Sequence, residues 1–155
     1  MLRNGNDVVL PEIKEYVNEG GRLLVAGFFP TNINRPDSQK FFNAFGLDWC
    51  RRGYGKQTYK LNTNTEALKK PKVLPEQLTL RSLNLAGVAP EDVVYATSNE
   101  AKESLETNGQ AGMLEEWPVV QARVGRGWVG YVGDVRVSGE GVDIVLLGLL
   151  GLLDV

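Results

Sequence analysis

The chain has 155 residues, 43% of them hydrophobic, and a formal charge of −2. That is apolar material for one core, so residues 1–155 are expected to form a single domain with no room for a second. The acidic balance, with a pI near 5.3, gives no general attraction to nucleic acid or anionic membrane. The complete absence of histidine removes Ser-His-Asp and Cys-His catalysis, histidine metal sites and imidazole acid–base chemistry.

A single cysteine, Cys50, forms no internal disulfide, which fits a reducing compartment and a cytoplasmic location. The start, "MLRNGNDVVLPEIKEY", lacks the apolar core of a signal peptide. The most apolar run, Val142 to Leu153, is too short to span a bilayer and reads as a buried element. No Cys pair and no Asp-x-Asp-x-Asp-Gly loop is present, so neither metal nor other cofactor is expected.

In chain order, Leu10 to Glu19 reads as a helix: Pro11 suits the first turn, Ile13, Tyr16 and Val17 share a face, and Gly20-Gly21 stops it. "RLLVAGFF", Arg22 to Phe29, reads as a strand covered on both faces. A polar loop follows, in which Asp37 or Ser38 is expected to cap a short helix that turns Phe41, Phe42 and Phe45 inward and ends at Gly46. "GKQTYKLN", Gly55 to Asn62, half alternates and reads as an edge strand.

From Asn62 to Pro75 the pattern predicts loop, then strands in "LRSLNLAGV" and "DVVYAT", and a long mobile surface loop from Ser98 to Glu116. Val119 to Val124 and Trp128 to Val132 read as a hairpin around Gly125-Arg126-Gly127, with a closing helix from Val142. Helix, glycine stop and buried strand are the grammar of an α/β sheet. The predicted fold is therefore α/β, with a C-terminal β-hairpin and a closing helix.

Gly125-Arg-Gly127-Trp-Val-Gly130 spells the glycine fingerprint of dinucleotide-binding folds. Such a site needs its glycines between a strand and a helix N-terminus, whereas these lie before and within a strand. The fingerprint is read as a hairpin turn instead. Open α/β sheets take ligands beyond the carboxyl ends of their strands. Asp134, Arg136, Ser138 and Glu140 lie beyond this one and are candidates for a small polar ligand, with Asp134 and Glu140 as the candidate catalytic carboxylates. Asp134 or Ser138 can instead serve only to satisfy loop amides or cap the next helix.

Arg51, Arg52 and Tyr54 form a second candidate site, able to bind an anion or stack on a base, although a solvated edge strand explains the same letters. Cys50 beside Arg51 and Arg52 has no evident base partner.

Two separated stretches resemble a known family. "IKEYVNEGGRLLVAG" resembles the helix, Gly-Gly and strand of class I glutamine amidotransferase-like domains, including the ThuA-like branch. "ARVGRGWVGYVGDV" resembles the glycine-turn hairpin of such domains, where a strand ending in Gly-Asp precedes the last helix; with "FFNAFGLDW" the look is closest to fungal proteins of this type. The resemblance implies a flavodoxin-like three-layer sandwich, trimmed of its first βα units. The family's activity is not implied, because the strand runs into Gly27-Phe28-Phe29-Pro30 where a cysteine elbow belongs, and no histidine exists.

The expected function is a catalytically inactive binding or protein-interaction module, with a homodimer or another protein as partner and no nucleic acid or membrane. The alternative is a small-molecule hydrolase using Asp134 and Glu140.

Overall fold

A computed structural model describes residues 9–27, 29–62, 74–98, 102–103, 106–109, 115–135 and 141–152. Helix α1, Val9–Asn18, is closed as its glycines predict: the Gly20 N–H donates to the Val17 carbonyl and that of Gly21 to Tyr16. Strand β1 spans only Arg22–Val25 and lies at one edge of the sheet. It is covered on both faces, Leu23 and Val25 packing toward one core and Leu24 toward the other. The apolar run beyond it turns instead into a single helical turn, α2, Phe29–Asn32.

Helix α3, Arg35–Asn43, is capped by Asn34 and not by Asp37 or Ser38. Asn34 Oδ1 accepts from the Asp37 N–H at 2.8 Å, which moves the helix start ahead of Pro36. Ser38 is buried inside the helix, donates to the Arg35 carbonyl at 2.7 Å and accepts the Arg51 N–H at 3.1 Å. Phe42 and Phe45 are buried and Phe41 half-buried, the phenyl rings meeting edge to face, as their spacing predicts.

The expected edge strand is a correction. Strand β2 runs Cys50–Leu61 and sits inside the sheet, between β3 (Gln77–Ala86) and β4 (Val93–Thr97). Its polar residues alternate with Gly55 and Tyr59, which are buried, so a weakly alternating sequence hides a strand with partners on both sides. A register shift between Arg51 and Tyr54 marks a bulge that bends it.

The hairpin is present as β5, Val119–Val124, and β6, Gly127–Val132, turning at Gly125 with φ 57°. A Cβ on Gly127 would run into the Val17 and Gly21 carbonyls, so the end of α1 and the start of β1 rest directly on the hairpin backbone. These glycines serve a turn and a close approach, as the non-nucleotide reading of the fingerprint requires.

The six strands form one mixed sheet in the order β1-β6-β5-β4-β2-β3, with β1 and β6 parallel and the other pairs antiparallel. The sheet curls: the second half of β3 returns to the ends of β5 and β6. Leu83 N–H donates to Gly133 O, Val135 N–H to Arg81 O, and Leu85 exchanges both bonds with Trp117.

The last helix, α4, Val142–Leu149, is shorter than expected. It buries Val142, Val145 and Leu149 but leaves Ile144 38% and Leu147 41% exposed. Its all-round apolar sequence therefore does not mean burial on all sides. One core lies between α4 and the sheet, around Tyr59, Leu78, Tyr95 and Val132. The other lies under α1 and α3, around Val17, Phe42, Trp49 and Tyr131. Among the described residues no helix is long and apolar enough to cross a membrane.

Candidate functional site

Beyond the carboxyl end of β6 the chain pairs with β3. Ser82 and Asp134 face each other as the wide, non-hydrogen-bonded kind of antiparallel pair, which places their side chains together on one face of the sheet. Asp134 is only 5% exposed. Arg136, Ser138 and Glu140 lie outside the described residues.

The buried polar chain that begins at Ser82, opposite Asp134, was not singled out from the sequence. Ser82, Asn84 and Tyr59 are all buried. Ser82 Oγ–H donates to Asn84 Oδ1 at 2.6 Å, and Asn84 Nδ2–H donates to the Tyr59 hydroxyl at 3.4 Å. Glu116 closes this end of the core, one carboxylate oxygen accepting the Gly53 N–H at 3.4 Å and the other buried. Burial pushes the Tyr59 phenol up, and the Glu116 charge adds to the rise, while the bonds from Ser82 and Asn84 oppose it. The one available signal was the period-two run Leu78, Leu80, Ser82, Asn84, whose last two members continue a buried face with polar groups.

Chemically this is a closed polar plug. Ser82, Asn84, Tyr59 and Asp134 are buried, and the Ser82 hydroxyl donates to Asn84 Oδ1. Ser82, Asn84 and Tyr59 satisfy one another, as buried polar groups in a core do, while Glu116 Oε2 is buried without a hydrogen-bond partner among the described residues.

The second candidate set does not converge. Arg51 is a structural tie: its guanidinium donates to the Ile33 carbonyl at 2.9 Å and lies near the buried Tyr131 hydroxyl. Arg52 is exposed and Tyr54 is 54% exposed. Cys50 is half-buried, its thiol 3.6 Å from the Arg51 carbonyl. Among the described residues no group of three or more Cys, Asp or Glu side chains is placed to hold a metal ion.

The feature that remains is a surface. Ile144 and Leu147 stand out from α4, and Leu152, just beyond it, is 65% exposed. A groove of about 600 Å³ of mixed polar and apolar lining, with Thr58, Pro75, Gln77, Leu78 and Thr79, opens beside Ile144. No family model matches the chain, and neither a curated protein nor a solved structure shows significant similarity to it.

Proposed function

We propose that the chain is a non-catalytic protein-interaction module that presents the outward face of α4 to a partner chain, a second copy being the simplest. One observation carries this reading: Ile144, Leu147 and Leu152 are exposed together on and just past a helix whose inner face is already fully packed. Solvent-facing apolar side chains gathered in one strip mark contact surfaces. The amidotransferase-like likeness is part of the proposal, supported by the α1–β1 unit, the parallel β1/β6 pair and the hairpin leading into α4. So is the flavodoxin-like layering, supported by helices on both faces of the sheet. The antiparallel pairing of β2 to β5 is where the chain departs from that pattern.

The hydrolase reading needs Asp134 in reach of a substrate, and the cover that β3 gives this carboxylate weighs against it. A thermal-shift screen against nucleotides, sugars, amino acids, organic acids and divalent metals separates the two readings. Ligands that bind only the folded chain raise its melting temperature, by a free energy of about 2.7 kcal/mol at a hundredfold excess over Kd. The module reading predicts no such rise. A reproducible rise that vanishes in Asp134→Asn would replace it with a small-molecule site.

A further inference from the structure

We infer that the partner segment is acidic as well as apolar, because the α4 surface ends on a row of arginines held in place by a tryptophan. Arg22 of β1, Trp128 of β6 and Arg123 of β5 lie in direct register across three adjacent strands. Residues in register share a face of the sheet. The guanidinium carbons of Arg22 and Arg123 sit 5.7 and 5.6 Å from the centre of the indole ring, one arriving from each neighbouring strand.

This row adjoins α4. Arg22 Nη1 donates to the Leu149 carbonyl at 3.3 Å, and Gly151 lies against the same guanidinium, one residue before the exposed Leu152. A cation is favoured there by the negative end of the helix dipole. Neither guanidinium meets a carboxylate among the described residues, and Arg123 is exposed. Stacking on Trp128 holds the forks in a fixed orientation with N–H groups still to fill, which is the arrangement that binds carboxylates well.

A nucleic acid fits less well. Both guanidiniums lie over the indole ring, which leaves less of it for a base to stack on. Two arginines on a chain of net charge −2 also release few counterions. The occupant that matches both halves of the surface is a peptide segment with leucine-like side chains for Ile144, Leu147 and Leu152 and one or two carboxylates for Arg22 and Arg123. This inference rests on the interaction-module reading and specifies its partner.

The test is fluorescence anisotropy of the full chain with a labelled peptide of alternating leucine and glutamate pairs, its Glu→Gln version, and labelled oligothymidylate. The glutamate peptide is expected to bind, and the Gln version and the Arg123→Glu variant each to bind at least about fivefold more weakly, since close charge pairs at an interface are worth that much or more. Arg123→Lys, which keeps the charge and loses the planar fork, is expected to fall between. Circular dichroism confirms that each variant is folded.

Equal binding of the Glu and Gln peptides overturns the inference, as does tighter binding of oligothymidylate. If Arg123→Glu leaves peptide binding unchanged while Leu147→Ser abolishes it, the acidic partner is wrong and the α4 surface stands. If Leu147→Ser changes nothing while Arg123→Glu abolishes binding, the α4 reading fails instead. Absence of binding to any probe overturns the inference and leaves the α4 reading to be judged by crosslinking from Leu147.

Discussion

Tyr59, Tyr95 and Tyr131 show what single polar groups do inside this sheet. Each phenol is buried, and burial raises each above its ordinary value near 10. The Tyr131 hydroxyl donates to the Leu83 carbonyl and that of Tyr95 to the Pro75 carbonyl, both at 2.6 Å. The neutral form is the one the fold accommodates, so in strong alkali the unfolded chain loses these protons first. The stability they carry is fully present below about pH 10 and is lost as the pH rises through the raised folded values. Urea unfolding midpoints are therefore expected to hold near neutrality and to fall steeply above about pH 10. Tyr131→Phe should cost about 1 kcal/mol at neutral pH through the lost hydrogen bond and should make the alkaline fall shallower. A midpoint flat to pH 11 would contradict the placement of these phenols.

The residue scale is also where the sequence was hardest to read. Asp134 stood out because it ends a strand in Gly-Asp, yet Ser82, which faces it and bonds to Asn84, comes from some fifty positions earlier and meets it only through the pairing of β3 with the end of β6. Arg22, Arg123 and Trp128 meet through register in the same way. Nothing in local composition reports a register across strands. Arg51 looked like a ligand group by its charge and proved to be a tie between β2 and the chain before α3.

At the scale of elements, local chemistry was legible wherever a glycine or an apolar period fixed the backbone. α1 with its glycine stop, the β5–β6 hairpin and the start of α4 lie where the pattern puts them. The failures share a cause: competition between nearby signals of similar strength. Asn34, Asp37 and Ser38 are all good caps within five positions, and the one preceding Pro36 won because it leaves the proline in the first turn. β2 was taken for an edge because lysine and threonine on alternate positions suit an edge, but the same letters suit a strand whose outer face meets water.

The hairpin provides the sharpest element-scale prediction. Gly127→Ala puts a methyl group against the Val17 and Gly21 carbonyls, backbone atoms that cannot swing aside. Separating α1 and β1 from β6 to admit it should destabilise the chain by about 2 kcal/mol or more, read as a lowered urea midpoint. A midpoint unchanged within error would mean that the α1–β1 turn does not rest on the hairpin.

For the molecule as a whole, the sequence pointed to α/β and the chain is mixed α/β, with helices on both faces of one curled sheet. The curl was not legible, since it depends on the bulge after Arg51 and on β3 pairing twice, first with β2 along its length and then with Trp117 and Asp134. The curl brings β3 against the chain just beyond β6 at Asp134, and three of the exposed large apolar side chains, Ile144, Leu147 and Leu152, lie on or just past α4. Leu147 is 41% exposed and belongs to neither core cluster, so it can be changed without loss of the fold. Leu147→Glu is expected to shift stability by no more than about 0.5 kcal/mol, as for other surface substitutions. A loss of several kcal/mol by thermal unfolding would show that Leu147 belongs to the core.

Crosslinking from position 147 tests the central claim most directly. A photoreactive phenylalanine analogue in place of Leu147, with the same group in place of the exposed Glu12 on α1 as a control, is irradiated in the folded chain together with an extract of its source cells. The account predicts one discrete adduct of twice the chain mass from position 147 and none from position 12. No adduct from position 147, or the same smear of products from both positions, would contradict it.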